Sequence, residues 1–238
     1  MSDRPLILSI ETATGCGSVA LTRGGVNDGK LLAEATAQPE TTHSRRLLGS
    51  VDWVMRAAGV DWGDLDGVAV SLGPGSFTGL RIGMAAAKGI VFAAHVPLIA
   101  VPTLDAIALS CPVIDRPLWC LIDARKQEIY AACYQTSSNG LPEQCRPTEV
   151  IRPELLVERI KQPAILAGPG LNEYHELFAC VEGLRLIPPA LSSPDAARIG
   201  FLAAARLLRG ERANPATVAP MYVRASEAEV NLQKKAGR

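Results

Sequence analysis

Apolar and polar positions along this chain switch between two periods, and the switches mark its elements. The run LILSIET, Leu6 to Thr12, is a short apolar strand ending on a carboxylate, Glu11. The small-residue turn ATGCG follows. SVALT then reads as a second strand, and LLAEATA, beyond RGGVNDGK, as a third joined by a hairpin. From Thr41 the period changes. Leu47, Leu48, Val51, Val54, Met55 and Ala58 recur at helical spacing, with Thr41 or Thr42 placed to cap the start and Gly59 to end the helix. Strand GVAVSL, a glycine-rich turn, the helical run LRIGMAAAKGIVFAA and strand PLIAV (Pro97 to Val101) complete a first half.

The second half opens in the same way. LWCLIDARKQEIYAACY, Leu118 to Tyr134, is an apolar strand ending on Asp123, a tight polar turn, and another strand. LSIETATGCGSVAL and CLIDARKQEIYAAC align as strand, carboxylate, turn, strand. The helix-like RPELLVERIK, strand AILAG with its turn PG, and an alanine-rich helix from Asp195 to Arg209 follow. Strands followed by helices in both halves predict α/β layers with mixed sheets, and two similar halves imply duplication around a cleft. The expected division is residues 1–103 and 104–238, the second part ending in a flexible tail. Two facing strand–carboxylate–turn–strand units resemble the actin-like (ASKHA, ribonuclease H-like) superfamily, where two such turns grip the phosphates of ATP. The expected fold class is therefore α/β, with two actin-like subdomains of mixed sheets flanked by helices.

Composition removes several functions. Of 238 residues, 48% are hydrophobic and 20% charged, and the formal net charge is zero. A chain that binds nucleic acid by itself carries a basic patch; here the only basic run is the tail KKAGR, Lys234 to Arg238. The six cysteines show no CxxC spacing, and the three histidines, His43, His95 and His175, form no HxxxH or HxxH pair. GPGSFTG around Ser76 is no GxSxG elbow. The start MSDRPLILSIET lacks a charged signal-type opening, and no apolar run approaches the roughly 20 residues that span a bilayer. These features lead us to expect a soluble protein of the cytoplasm that does not engage membranes.

The remaining chemistry lies in the turns. Backbone N–H groups of ETATGCGS could cradle an anion, with Glu11 holding magnesium through water, or the turn could be a plain hairpin; both readings stay open. The second turn, DARKQE, has no glycine and carries Arg125, Lys126 and Gln127, which crowd a phosphate. Glu11, Thr12, Asp123, Gly168 and Gly170 are the candidate nucleotide-binding residues. SLGPGSFTGLR, Ser71 to Arg81, has the look of a phosphate loop, but GLR stands where GK[ST] is needed. The helix it launches places Gly79, Gly83 and Ala87 four residues apart. Each glycine costs about 1 kcal/mol of helix propensity relative to alanine, so the stripe serves close packing, against the chain's own helix or against another protein.

ILSIETAT, TTHSRRLLGSVDWVM, GVAVSLGPGSFTGLRIGMAAAKGI, VPTLDAIA, IDARKQEIYAACY and APMYVRASEAE together resemble the TsaB (YeaZ) family, from Leu6 to Glu229. The resemblance implies two actin-like subdomains and a part in making N6-threonylcarbamoyladenosine at position 37 of tRNAs that read ANN codons. It implies a non-catalytic scaffold or activator with no cofactor of its own, an ATP or ADP at the complex interface being left open. The implied partners are a metal-bearing TsaD-type paralogue and a TsaE-type ATPase, with a homodimer through the same N-terminal helices and tRNA met only through the complex. The implied interface falls on His43, Leu47, Leu48, Val51, Met55, Gly79, Arg81, Gly83, Ala87 and Ile90. Glu11 departs from the family's more usual Asp. A free-standing ATP-dependent small-molecule kinase or ATPase, using Glu11, Asp123 and Gly168 to Gly170, is the competing expectation.

Overall fold

The computed structural model describes residues 3–37, 43–111, 115–138 and 140–223, with the side chains of residues 43–46 outside that description. The first half runs β1 (Leu6–Glu11), β2 (Gly17–Arg23), β3 (Lys30–Ala37), α1 (His43–Ala58), β4 (Gly67–Gly73), α2 (Phe77–Ala94), β5 (Leu98–Pro102) and α3 (Thr103–Ala108). The second runs β6 (Leu118–Arg125), β7 (Glu128–Thr136), β8 (Pro142–Ile151), α4 (Pro153–Arg159), β9 (Ala164–Ala167), α5 (Leu171–Ala179), β10 (Leu184–Leu186), α6 (Pro189–Ser192) and α7 (Ala196–Leu208).

Each half folds into a five-stranded mixed sheet. The first has the order β3-β2-β1-β4-β5 and the second β8-β7-β6-β9-β10, so the strands correspond one to one. In both, the first strand pairs antiparallel with the second and parallel with the fourth. All six residues of β1 are buried, as expected of a strand covered on both faces. Leu6, Leu8 and Ile10 pack toward α1 and α2, while Ile7 packs toward α7. On the second sheet Leu118, Cys120 and Ile122 face α3, and Trp119 and Leu121 join Leu156 of α4 and Phe178 of α5. These are the two mixed sheets and flanking helices anticipated from the duplicated pattern.

Some elements escape the periodicity. β8 holds Pro142 and Pro147, tolerable because it is an edge strand. Helices α3, α5 and α6 are too short to show a period. The last long helix, α7, follows the second sheet in sequence but packs on the first, with Ala196 against Ala20 and Ile199 and Ala203 against Ile7 and Ile99. α3 and α7 therefore form the layer between the two sheets. α2 is also long and apolar enough, by composition, to cross a membrane. Its apolar content is explained by the first core, where Met84, Ala87, Ile90 and Val91 are buried.

A polar knot closes this middle layer. Asp105 of α3 accepts hydrogen bonds from the Tyr134 hydroxyl of β7 (2.9 Å) and from Arg206 of α7 (3.1 Å), and Arg206 also donates to the Ala100 carbonyl of β5 (3.1 Å). Burial pushes the Asp105 carboxyl above its ordinary range despite these partners, so the carboxylate depends on keeping its donors. Arg206→Met should lower stability by about 2 kcal/mol, the scale of a charged hydrogen bond broken in a mostly buried site, measured as a lower urea midpoint with an unchanged m-value.

Candidate functional site

The residues singled out in the first turn are drawn together, but around helix α2. Thr12 donates its hydroxyl proton to the Gly79 carbonyl (2.8 Å) and its N–H to Ser71 Oγ (3.3 Å). The Ser76 N–H donates to the Ala13 carbonyl (2.6 Å). Ser76 also caps α2 by accepting from the Gly79 N–H. A Cβ on Gly79 would strike the Thr12 carbonyl oxygen, and one on Gly83 would strike Thr12 Oγ1. The two glycines are small because Thr12 sits against the helix. The loop that looked like a phosphate cradle is pressed onto the start of the first turn, at Thr12 and Ala13.

Glu11 lies beneath this contact, fully buried. Its carboxylate accepts from the Ala13 N–H (2.5 Å) and from Thr14. Burial raises its pKa from 4.5 to about 8, against the pull of Ala13, Ser71 and Thr14, while Asp195 adds a smaller push upward. At neutral pH the group is mostly a neutral acid, a weak ligand for a cation.

The second candidate cluster is equally committed to the chain. Asp123 accepts from the Arg125 N–H (2.9 Å) and lies 3.4 Å from the Arg125 guanidinium. Arg125, Lys126 and Gln127 all adopt left-handed backbone angles, with φ of 62°, 55° and 61°. The turn is thus a tight hairpin tip with three bulky side chains, where glycine or asparagine would be at ease. The Gly168 N–H is taken by Ser192 Oγ (2.9 Å) and the Gly170 N–H by the Leu121 carbonyl (3.0 Å). A Cβ at Gly168 would collide with the Leu121 backbone. These glycines let the β9–α5 turn lie on β6. All five candidate nucleotide-binding residues have hydrogen-bonding groups satisfied inside the chain. Among the described residues no group of three or more His, Cys, Asp or Glu side chains could hold a metal ion.

The expected contact residues on α1 and α2 need a correction. Leu47, Val51, Met55, Gly79, Gly83, Ala87 and Ile90 are buried in the chain's own first core, because helical spacing reveals the stripe that faces the sheet. The side chain of His43 lies outside the described residues. Leu48, 59% exposed, and Arg81 do face outward. The outward face also carries Gly49 and Trp53 on α1, and Ala85, Gly89, Phe92 and Ala93 on α2, with Phe92 83% exposed. Among the described residues, nothing lies within 4 Å of a Cβ placed on Gly49 or Gly89. The sequence signal that was passed over is apolar and small residues lying off the core stripe.

The TsaD family model, described as tRNA N6-adenosine threonylcarbamoyltransferase, matches residues 30–232. The Escherichia coli tRNA threonylcarbamoyladenosine biosynthesis protein TsaB is 35% identical over 176 residues, 72% of this chain and 74% of that one. The chain belongs to the TsaB (YeaZ) family. The Bacillus subtilis TsaB is 28% identical and aligns over 94% of this chain and 96% of its own. The solved YeaZ from Pseudomonas aeruginosa superposes with a TM-score of 0.73 at 28% identity, covering 92% of this chain and 99% of that one. TsaB is thus a family of the tRNA threonylcarbamoyladenosine pathway, related in sequence to the transferase TsaD.

Two tests follow from the Thr12 contact and from Glu11. Gly83→Ala should destabilise the chain by about 2 kcal/mol, as overpacking does, and much less in a Thr12→Ala background; thermal unfolding of the four proteins measures the coupling. Because the Glu11 pKa is higher folded than unfolded, its proton stabilises the fold fully below about pH 4.5, and that stability is lost as pH climbs through about 8. Glu11→Gln, with no proton to lose, should flatten the decline in urea midpoint across that range.

Proposed function

We propose that this chain is a non-catalytic subunit that scaffolds and activates a TsaD-type threonylcarbamoyltransferase. The product is N6-threonylcarbamoyladenosine at position 37 of ANN-decoding tRNAs. The observation that carries the reading is the outward face of α1 and α2. Gly49 and Gly89 stand mid-helix with open space where a side chain would go, beside exposed Leu48 and Phe92. A mid-helix glycine costs about 1 kcal/mol relative to alanine, and the chain's own packing gains nothing from these two. Close approach by another protein's helix gives them a use.

The same face would serve a homodimer of the free chain, with a TsaE-type ATPase joining the TsaD-bound form and tRNA reaching the complex through its partners. The absence of catalysis is supported by the internal bonding of Glu11, Thr12, Asp123, Gly168 and Gly170. The free-standing kinase or ATPase finds less support, since Thr12 and Ala13 of its first turn are bonded to the loop and helix of α2. The division into residues 1–103 and 104–238 is kept as a functional proposal, with α7 bracing the partner-binding half.

Depletion of the chain from its own cells should strip threonylcarbamoyladenosine from ANN-decoding tRNAs, read by mass spectrometry of digested tRNA. A normal level of the nucleoside would reject the function. Gly89→Ala should raise the stability of the free chain by about 1 kcal/mol, whereas Gly89→Leu should leave it folded but prevent co-purification with the TsaD-type protein. Undiminished co-purification would move the interface elsewhere.

A further inference from the structure

Arg81 stands at one end of the outward face of α2, one helical turn before Ala85, with Gly89 a turn further on. Its guanidinium carbon lies 3.7 Å from the centre of the Phe77 ring and 5.7 Å from that of Tyr222. Its Nε donates to the Tyr222 hydroxyl at 2.9 Å. The two rings lean on each other, with centres 5.2 Å apart at 37°. Both aromatics remain exposed, Phe77 at 40% and Tyr222 at 38%.

Tyr222 reaches this place on a strap that closes over the first half. The Ala213 N–H bonds the Leu98 carbonyl, Lys88 donates to the Val218 carbonyl (2.8 Å), and the Met221 N–H bonds the Leu72 carbonyl (2.7 Å). Sequence positions 81 and 222 are thus joined by a chain segment fixed at both ends and in the middle. Eight other arginines of this chain, Arg4, Arg56, Arg116, Arg125, Arg159, Arg198, Arg206 and Arg209, pair with carboxylates. Arg81 has no carboxylate partner among the described residues. Among the described residues the guanidinium is therefore oriented without being neutralised.

We propose that Arg81 is the docking cation of the α2 face and receives a carboxylate of the protein partner, with Tyr222 as its positioning residue. A planar guanidinium laid on aromatic faces keeps its terminal N–H groups as a fork, the geometry that a carboxylate fills with two hydrogen bonds. Arginine and tyrosine are enriched at interface hot spots, and both adjoin the apolar face of α2 here. A protein is favoured over an RNA phosphate because the face runs on into Ala85, Gly89 and Phe92, and the chain's net charge of zero supplies no basic field. The inference rests on the partner face proposed above and adds the chemistry that the partner must present.

The test is the affinity of the full chain for the purified TsaD-type transferase of the same organism, by titration calorimetry at two salt concentrations. Arg81→Ala should weaken binding by roughly tenfold or more, the range of a truncated hot-spot arginine. Arg81→Lys should restore little of that, and Tyr222→Phe, which keeps the ring and removes the hydroxyl, should weaken it by a smaller factor. The wild-type affinity should fall with added salt more steeply than that of Arg81→Ala. Thermal midpoints should stay within a degree or two, which separates a docking role from a structural one. If Gly89→Leu abolishes binding while Arg81→Ala binds like wild type, the proposal fails and the face survives. If Gly89→Leu also binds normally, the face itself is wrong. If Arg81→Ala spares the protein partner but weakens tRNA binding by the complex, the cation serves RNA phosphate and the proposal is overturned.

Discussion

The contact between Thr12 and helix α2 is the constraint from which the rest of this structure follows. A strand end and a helix approach so closely that two helix positions, Gly79 and Gly83, admit no Cβ. That approach turns the loop before α2 onto the first turn, satisfies Ser76 and Thr12 within the chain, and seals Glu11 away from water. It also fixes the outward face of α2. Because one side of the helix is pressed on Thr12 and Met84, Ala87 and Ile90 are in the core, Arg81, Ala85, Gly89 and Phe92 are left to solvent. Helix orientation and the burial of Glu11 are two results of one packing choice.

The two halves show how a duplicated frame can keep its topology while its turns part ways. The strand orders correspond, and each first strand carries a carboxylate at or near its C-terminal end, Glu11 in β1 and Asp123 in β6. Glu11 is buried under a helix, whereas Asp123 is held at the edge of a hairpin whose tip carries three left-handed, non-glycine residues. The second turn carries bulky side chains that crowd a phosphate, while the first keeps an exposed Gly15 at its tip. What the halves still share is the middle layer, where Asp105, Tyr134 and Arg206 tie one sheet to the other.

Much of this was legible in the residues, and the exceptions have physical causes. Alternation and helical spacing found β1, β2, β4, β6, β7 and the three long helices, since each buries a continuous stripe. The spacing of Gly79, Gly83 and Ala87 signalled close packing, but spacing alone cannot say what approaches; the answer was Thr12, distant in sequence and adjacent in space. For the same reason the contact list drawn from the helical stripe fell mostly on core positions, while Gly49, Gly89 and Phe92 were passed over. Helix α7 betrayed its period but not its destination, because packing across the two sheets leaves no local mark. The pairing of Arg81 with Tyr222 was invisible for the same reason.

The central claim is that Thr12 and Ala13, at the start of the first turn, are committed to the chain's own helix α2. Titration calorimetry of the purified chain with ATP and magnesium tests it most directly, with hydrogen exchange at the Ser76 and Gly79 amides followed in parallel. The account predicts no saturable heat at micromolar concentrations and unchanged protection of both amides. Micromolar binding that opened those amides to exchange would contradict it, because a phosphate would then have displaced the loop from Thr12 and Ala13.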